Sequence, residues 1–432
     1  MEIQVINGDC LEVMRGMPAD SVDTVCTDPP YGLGFMGKAW DHGVPGPVYW
    51  EEALRVAKPG AYLLAFGGTR KFHRLACAIE DAGWQLVDCM LWLYGSGFPK
   101  GKGIGKGIDK AAGAEREVVG TKRNGLCMNG NLNDDGWDQA GAGEAGKHIP
   151  ITAPATPEAT RWDGWNTALK PAWEPVVVAM KKPAGTFAKN ALEHGVAGFW
   201  IDGCRIATAP KDAEAMKRCN TPGSGQMRGR DPVQTSRGQS GSDGAAKPLD
   251  TSRGRWPANV VHDGSPEVLA GFPKTKTGGP GITKENHNGH TLSGPASSRT
   301  RHTVGYSDDG SASRFFYCAK ASQAERNAGC LALYWQRLKG GDVAPITREQ
   351  WELLEDEDRG QGNMHPTVKP LELMRWLVRL TKTPTGGVVL DPFCGSWTTL
   401  LAAKLEGRGA IGIDLDPGHC QVARKRTDAG LL

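Results

Sequence analysis

Two stretches near opposite ends of this sequence carry side chains whose types and spacing suit chemistry. The first is Asp28-Pro29-Pro30-Tyr31, which follows directly on the strand-like segment Ser21–Thr27. Its two prolines fix φ and hold the backbone extended, so the chain cannot coil away from a strand tip. A carboxylate, a carbonyl freed from ladder pairing and an aromatic ring are then presented together. That set suits a planar ring bearing an amine: Asp28 and the Pro29 carbonyl accept the N–H bonds, and Tyr31 stacks on the face. The plain alternative is a strand that ends in a rigid turn with a surface aspartate. The second stretch is Asp391-Pro392-Phe393-Cys394-Gly395-Ser396-Trp397, set between a strand-like Gly387–Leu390 and a helix-like Thr398–Leu405. A turn of this kind brings backbone N–H groups close to a ligand. Asp414, at the end of the next strand, is placed to accept hydrogen bonds from ribose hydroxyls. Here the plain alternative is an ordinary strand–turn–helix connection. No phosphate-binding G-x-x-x-x-G-K-[ST] loop occurs, since Lys102 and Lys106 are each followed by glycine.

The elements that must position these residues read as α/β. In residues 1–95, strands at Ser21–Thr27, Ala61–Phe66 and Gln85–Leu93 alternate with helices at Tyr49–Ala57, closed by Pro59-Gly60, and Lys71–Asp81. Residues 361–432 repeat the pattern, with a helix at Pro370–Thr381, strands at Gly387–Leu390 and Ala410–Ile413, and helices at Thr398–Leu405 and Pro417–Arg426. Alternation of this kind argues for a parallel sheet with helices on its faces. Residues 96–360 differ. They are glycine-rich, polar and largely unperiodic from about Gly95 to Thr160, over 208–255 and over 264–312. Between these tracts lie islands of strand character at Glu174–Met180, Phe199–Ile206, Ala258–Val261 and Arg314–Ala319.

Composition narrows the function classes. The chain has 432 residues, of which 59 are glycine, 39% are hydrophobic, and the formal net charge is +3. At ~150 residues per domain that is about two or three units. No apolar run reaches the ~18 residues that span a bilayer, and the N-terminus lacks the basic and apolar regions of a signal peptide. Membrane and secreted readings fall away, and a cytoplasmic one is expected. The 11 cysteines include no C-x-x-C pair. Reduced thiols are expected, and no metal, because zinc would need ligands from unrelated segments. His194, His262, His287 and His290 show no ligand spacing.

Together, the two motifs make the sequence resemble the permuted, β-type DNA amino-methyltransferases, which form N6-methyladenine or N4-methylcytosine. The resemblance covers roughly residues 5–95 and 364–427, and more loosely 161–183, 256–262 and 314–330. It implies a Rossmann-like methyltransferase sheet, circularly permuted, with 1–95 as the catalytic half and 361–432 as the cofactor half. Residues 96–360 become a loop-rich target-recognition insert containing some core strands. The implied cofactor is S-adenosyl-L-methionine. Asn7-Gly8-Asp9-Cys10 resembles the family's early cofactor element, which places Asp9 and Cys10 near the adenine. His365-Pro366-Thr367-Val368-Lys369-Pro370 resembles the segment that closes that pocket, through His365, Thr367 and Lys369. Asp391, Phe393, Gly395 and Ser396 fall in the cofactor turn, and Asp414 at the ribose-binding acid. Asp28, Pro29, Pro30 and Tyr31 become the catalytic motif. Its aspartate points to adenine, whereas serine there points to cytosine, so N4-cytosine methylation is the alternative. The implied partner is double-stranded DNA in a bacterial cell, in a restriction-modification setting, with the protein a monomer or a homodimer. The exocyclic amine lies inside a duplex, so the base must be flipped out.

One departure stands out. Trp397 occupies the place where the family usually has a second glycine, which permits positive φ or close backbone approach. Either the indole points away and the turn adjusts, or it occludes the cofactor and leaves a DNA-binding protein with impaired catalysis. In the second case Trp397→Gly tightens cofactor binding. Cys394 reads as packing, not as a nucleophile. Candidate phosphate contacts are Lys100, Lys102, Lys106 and Lys110 in a glycine-rich loop, together with Arg253, Arg255, Lys274, Lys276, Arg299 and Arg301. Trp162, Trp165 and Trp173 are expected to pack over the sheet, with base stacking as the other reading. The whole scheme requires Asp28 and Gly395 to share one rim of the sheet.

Overall fold

The computed structural model describes residues 2–32, 43–95, 97, 101–123, 148–208, 254–276, 309–319, 334–337, 343–355, 358–361, 368–395 and 397–428. The chain forms two compact units. The first is Met1–Trp200, Asn259–Ser265 and Cys318–Leu432; the second is Ile201–Ala258 and Pro266–Tyr317.

The larger unit is built on one sheet. Among the described residues, eight of its nine strands are β1 (Ile3–Asn7), β2 (Val22–Thr27), β3 (Ala57–Phe66), β4 (Gln85–Leu93), β5 (Trp173–Met180), β6 (Val260–His262), β7 (Val388–Asp391) and β8 (Gly409–Asp414), and the ninth is the two-residue Tyr317–Cys318 at the edge. Their order across the sheet is β1-β8-β7-β2-β3-β5-β4-β6. All six residues of β2 are buried, as are the last six of β5, which is why β5 reads as a continuous apolar run instead of an alternating one. Neighbours pair in parallel, except that β5 runs antiparallel to both β3 and β4. The two strands of the C-terminal segment thus slot between β1 and β2, so the ends of the chain share one hydrogen-bonded surface. This is the permuted α/β sheet that the motifs require.

Helices α1 (Cys10–Gly16), α2 (Pro47–Val56), α3 (Phe72–Asp81), α4 (Leu371–Leu380), α5 (Thr398–Leu405) and α6 (Pro417–Asp428) belong to the same unit. Met14, Trp50, Ala53, Leu63, Leu75, Ile79 and Trp84 join one core cluster. The indoles keep their polar edges satisfied: Trp84 Nε1 donates to Trp50 O (2.9 Å) and Trp50 Nε1 to Pro45 O (3.1 Å). Among the described residues no helix is long and apolar enough to cross a membrane.

Several local expectations are corrected. Pro59-Gly60 does not close a helix; α2 stops at Val56 and β3 begins at Ala57, running through both residues. Gly60 manages this at φ +79°, and the amide of Asn190 fills the space its side chain would take. That amide donates to Pro59 O and Val196 O. Phe199–Ile206 is a turn with a 3₁₀ helix at Asp202–Cys204, not a strand. Phe199 stacks on Tyr62 at 4.1 Å, and Trp200 N donates to Leu380 O. Arg314–Ala319 holds a 3₁₀ turn (Ala312–Phe315) before the two-residue strand Tyr317–Cys318. The tract from Gly95 to Thr160 contains a helix at Ile104–Ala111, antiparallel strands Val118–Arg123 and His148–Thr152, and a helix at Pro157–Arg161. One buried carboxylate ties it together: Asp109 accepts from Ala155 N, Thr156 N and Thr156 Oγ1 and pairs with Arg116. This side-chain network holds the piece together, and Gly101, Gly103, Gly105 and Gly107 make its helix read as a loop in the sequence. Lys106 and Lys110 accordingly sit on a helix, not in a loop.

In the smaller unit, Ile206 and Arg255 exchange backbone hydrogen bonds, and the Arg255 and Arg314 guanidiniums lie over the Phe315 ring at 4.7 and 4.3 Å. The strand Lys274–Lys276 pairs with Asp309–Ser311. Lys100, Arg253, Arg299 and Arg301 lie outside the described residues.

Candidate functional site

The parallel strands β1, β2, β3, β7 and β8 all end on one rim of the sheet, and the reversed β5 starts there. β2 and β7 pair directly, Thr24 opposite Val389 and Val25 opposite Leu390. Asp28 and the Asp391 turn therefore face the same side, and Thr27 Oγ1 donates to Asp391 Oδ1 at 2.6 Å. The juxtaposition demanded by the sequence is present.

At the β2 end, Asp28 is gripped from two directions. Lys369 Nζ donates to its Oδ2 at 2.7 Å, and the Tyr31 hydroxyl lies 2.8 Å from its Oδ1. A second carboxylate joins them: Glu174 Oε2 is 3.1 Å from the Tyr31 hydroxyl and 3.2 Å from Lys369 Nζ. Tyr94 also hydrogen-bonds Glu174. Burial and the two carboxylates hold the Tyr31 phenol protonated, well above its ordinary pKa. Burial works against the Lys369 ammonium, but the attraction of Asp28 and Glu174 outweighs it and its pKa is raised. The same ammonium lies 4.9 Å from the Phe66 ring and 5.3 Å from the Tyr31 ring. The cluster thus sets one ammonium against two carboxylates, a formal charge of −1. Pro29 is buried, and among the described residues nothing donates to its carbonyl. An unused acceptor therefore adjoins a fixed carboxylate, the arrangement that suits a two-proton amine.

At the β7–β8 end, Asp414 holds the turn. Its Oδ2 accepts from Gly395 N at 2.7 Å, and its Oδ1 accepts from Asp416 N and meets His419 Nδ1. Asp9, beyond the end of β1, caps α1 through Oδ1, which takes the N–H groups of Leu11 and Glu12. Among the described residues its Oδ2 has no partner. Phe393 lies 5.9 Å from the Tyr49 ring and 6.0 Å from Trp50, at tilted angles. The Tyr49 hydroxyl feels Cys10 and Asp9 and is pushed up, chiefly by desolvation. The Tyr49 and Phe393 rings, with the carboxylates of Asp9 and Asp414 at the same strand ends, make a set that fits a nucleoside: the acids accept from its hydroxyls, and the rings face its base. Burial raises Cys10 to about 12 and Cys394 well above its ordinary value, so both thiols stay protonated and neither is a nucleophile.

The structure brings Asp28, Pro29, Pro30 and Tyr31 together, and Asp9, Cys10, Phe393, Gly395 and Asp414 at the neighbouring strand ends. Lys369, assigned by resemblance to the cofactor side, instead bonds the Asp28 cluster. Asp391 is almost fully buried, held by Thr27 Oγ1, Phe393 N and Thr399, and shapes the turn from within. His365, Thr367 and Ser396 lie outside the described residues. Glu174, Tyr94 and Tyr49 were missed. A single acid heading the apolar run Glu174–Met180 was the available signal for the first.

Trp397 takes the first of its two options. It adopts the left-handed φ of +67°, as a glycine would, and its indole is fully buried. Room comes from Gly412 on β8, where a Cβ would lie 2.6 Å from the Trp397 ring. Of the other tryptophans, Trp173 meets Phe72 edge-on at 6.2 Å. Trp162 and Trp165 do not pack over the sheet; they are 46% and 57% exposed and contact each other at 5.9 Å. Among the described residues no cluster of three or more metal-ligating side chains occurs.

Residues 267–425 match the model of the DNA methylase family. Over 65 residues the chain is 46% identical to the type II methyltransferase M2.DpnII of Streptococcus pneumoniae, covering 15% of this chain and 24% of that protein. It is 34% identical over 89 residues to the putative methylase YubD of Escherichia coli, covering 19% and 39%. Identity to the DNA adenine methyltransferase YhdJ of the same organism is 39% over 64 residues, covering 15% and 21%. The matches thus span well under half the length of each relative. Among solved structures, the M1.HpyAVI complex with SAM aligns at TM-score 0.37 and 14% identity over 99% of both chains. The cytosine-N4-specific PvuII DNA methyltransferase aligns at TM-score 0.40 and 12% identity, covering all of this chain and 89% of that one.

Proposed function

We propose that this chain acts as a DNA amino-methyltransferase, like the family whose model it matches over residues 267–425, and moves a methyl group from S-adenosylmethionine to N6 of adenine in double-stranded DNA. The observation that carries the proposal is the cluster at the end of β2, where Asp28 is fixed by Lys369 and Tyr31 beside the unused Pro29 carbonyl.

An exocyclic amine is a poor nucleophile because its lone pair is delocalised into the ring. Asp28 and the Pro29 carbonyl, each accepting one N–H, favour a pyramidal nitrogen and return that pair to it. Tyr31, its hydroxyl anchored by Asp28 and Glu174, offers a ring face to the extruded base. When bound, S-adenosylmethionine supplies an electrophilic methyl on a sulfonium. Asp9, Cys10, Phe393, Gly395 and Asp414 are the residues that would hold it, with Tyr49 beside them. The family resemblance adds His365, Thr367 and Ser396. As the methyl arrives, positive charge grows on the amine, and the formal −1 of the Asp28, Glu174 and Lys369 cluster faces it. Asp28 is the nearest acceptor for the proton the product sheds. Positioning and this fixed charge supply the rate, and no thiol takes part. Residues 96–360 would carry target recognition.

The buried indole of Trp397 supports an active enzyme over an impaired binder, because it lies against Gly412 and leaves the Gly395 turn to its bond with Asp414. The aspartate of the β2 motif supports adenine. The test is tritium transfer from labelled S-adenosylmethionine to duplex DNA, followed by digestion to nucleosides. Label in N6-methyladenine that disappears in Asp28→Ala is the expected result. Label in N4-methylcytosine would reassign the base, and DNA retained without label would overturn the enzyme.

A further inference from the structure

A concave surface opposite in charge to the Asp28 cluster adjoins it. A cavity of about 530 Å³ is lined by Gly43–Gly46 and by Arg70, Lys71, His73 and Arg74, with no aspartate or glutamate in its wall. Several cations deeper in this unit are neutralised: Lys58 by Asp23, Lys181 by Asp20, Arg375 and Arg379 by Glu406. Among the described residues the side chains of Arg70, Lys71 and Arg74 pair with nothing. Three unpaired cations gathered on one hollow repel one another unless an anion is brought in.

Both walls of the hollow rest on the amine site. On the arginine side, Gly68 sits so close to Tyr31 that a Cβ there would lie 3.0 Å from the ring, and Gly68 O takes the N–H groups of Lys71 and Phe72. On the glycine side, Gly43 and Val44 crowd Gly32, where a Cβ would lie 2.9 Å from their backbone. The loops that carry the cations and the residues that would accept the base therefore abut. A nucleotide whose base enters the pocket brings its own backbone to the rim.

We propose that this hollow holds the phosphodiester backbone of DNA next to the extruded nucleotide, with Arg70, Lys71 and Arg74 as the phosphate contacts. The inference rests on the methyltransferase reading and adds to it the element that grips the substrate strand. Guanidinium forks match phosphate oxygens in pairs, and each neutralised phosphate releases counterions on binding. These positions lie outside the basic stretches that composition singles out. They are clustered by the turn after β3, not by a lysine- or glycine-rich sequence.

The experiment is DNA binding by fluorescence anisotropy across a salt series, for wild type, Arg70→Ala/Arg74→Ala and Arg70→Lys/Arg74→Lys, with thermal melting as the check on folding. In the alanine variant the slope of log K against log [salt] is expected to fall by about two, at ~0.9 per lost phosphate contact. The lysine variant should keep the slope, and calorimetry should show unchanged S-adenosylmethionine affinity in both. An unchanged slope in a folded alanine variant, with wild type binding and methylating DNA normally, would sink this proposal alone. A wild-type chain that retains no DNA would overturn it together with the reading it rests on.

Discussion

Two directly paired strands, β2 and β7, each lead into an aspartate on the same rim, and the two carboxylates are held in different ways. Asp28 stays about one-fifth exposed and is met by an ammonium, a phenol and a neighbouring second acid. Asp391 is 2% exposed and is held by hydroxyl, thiol and backbone partners, with no cation bonded to it among the described residues. Without a counter-charge, burial pushes Asp391 up to about 6. One strand end is organised by charge and open to a substrate. The other is organised by burial and sets the shape of a turn. Substitutions at the β7 end should therefore act on stability, and substitutions at the β2 end on rate.

Trp397→Gly tests the burial side most severely. Removing a buried indole costs ~3–5 kcal/mol through lost contacts and an unfilled cavity. Relief of the left-handed φ returns about 1 kcal/mol. A net loss of about 3 kcal/mol in denaturant unfolding is expected, with S-adenosylmethionine affinity unchanged by calorimetry. Tighter binding in the glycine variant would mean that the ring reaches the cofactor after all, and would break the contrast between a shape-setting and a ligand-facing strand end.

The same contrast shows which parts of the site the sequence could display. Strand ends were legible because apolar runs stop at Leu390 and Ile413, and because two prolines follow Thr27 and small residues follow Leu390. Glu174 was not, because β5 runs against its neighbours. Its head, not its tail, reaches the rim, so a search beyond strand ends looks at Lys181 instead. Lys369 was legible as a motif residue, but its partner is fixed by the packing of distant segments. The role of Trp397 depended on Gly412, a glycine that a strand pattern marks only as a weak position. The helix at Ile104–Ala111 was hidden because four glycines before and within its first turn give it the composition of a loop, while Asp109 ties it in place through side-chain bonds.

Asp391→Asn probes the buried carboxylate itself. Its pKa is raised on folding, so the native state holds the proton more tightly than the unfolded chain. Stability from this group is greatest below about pH 4, falls as pH rises toward about 6, and is flat above. The shift from 3.8 to about 6 is worth about 3 kcal/mol at neutral pH. The amide removes that penalty but accepts a weaker hydrogen bond from Thr27, which leaves a gain on the order of 2 kcal/mol. Urea unfolding of wild type and variant at both ends of this window should show the difference appearing only at the higher pH. A difference independent of pH would show that folding does not shift the titration of Asp391, and the contrast between the two strand ends would fail.

Glu174→Gln makes the smallest change and is the sharpest probe of the charge side. The amide oxygen can still accept from Tyr31 or Tyr94, and Lys369 keeps its 2.7 Å bond to Asp28, so the geometry of the cluster is largely preserved. What disappears is one negative charge, which takes the cluster from −1 to neutral where positive charge would develop on the amine. A cost near 1.4 kcal/mol corresponds to about a tenfold loss in kcat. KM for S-adenosylmethionine and the melting temperature should hold, because neither the Asp9–Asp414 end nor the core is touched. Glu174→Asp, which restores the charge at a shorter reach, should recover part of the rate. A loss of stability with kcat intact would place Glu174 with Asp391 as a shaping residue and would leave Asp28 and Lys369 to act as an isolated pair.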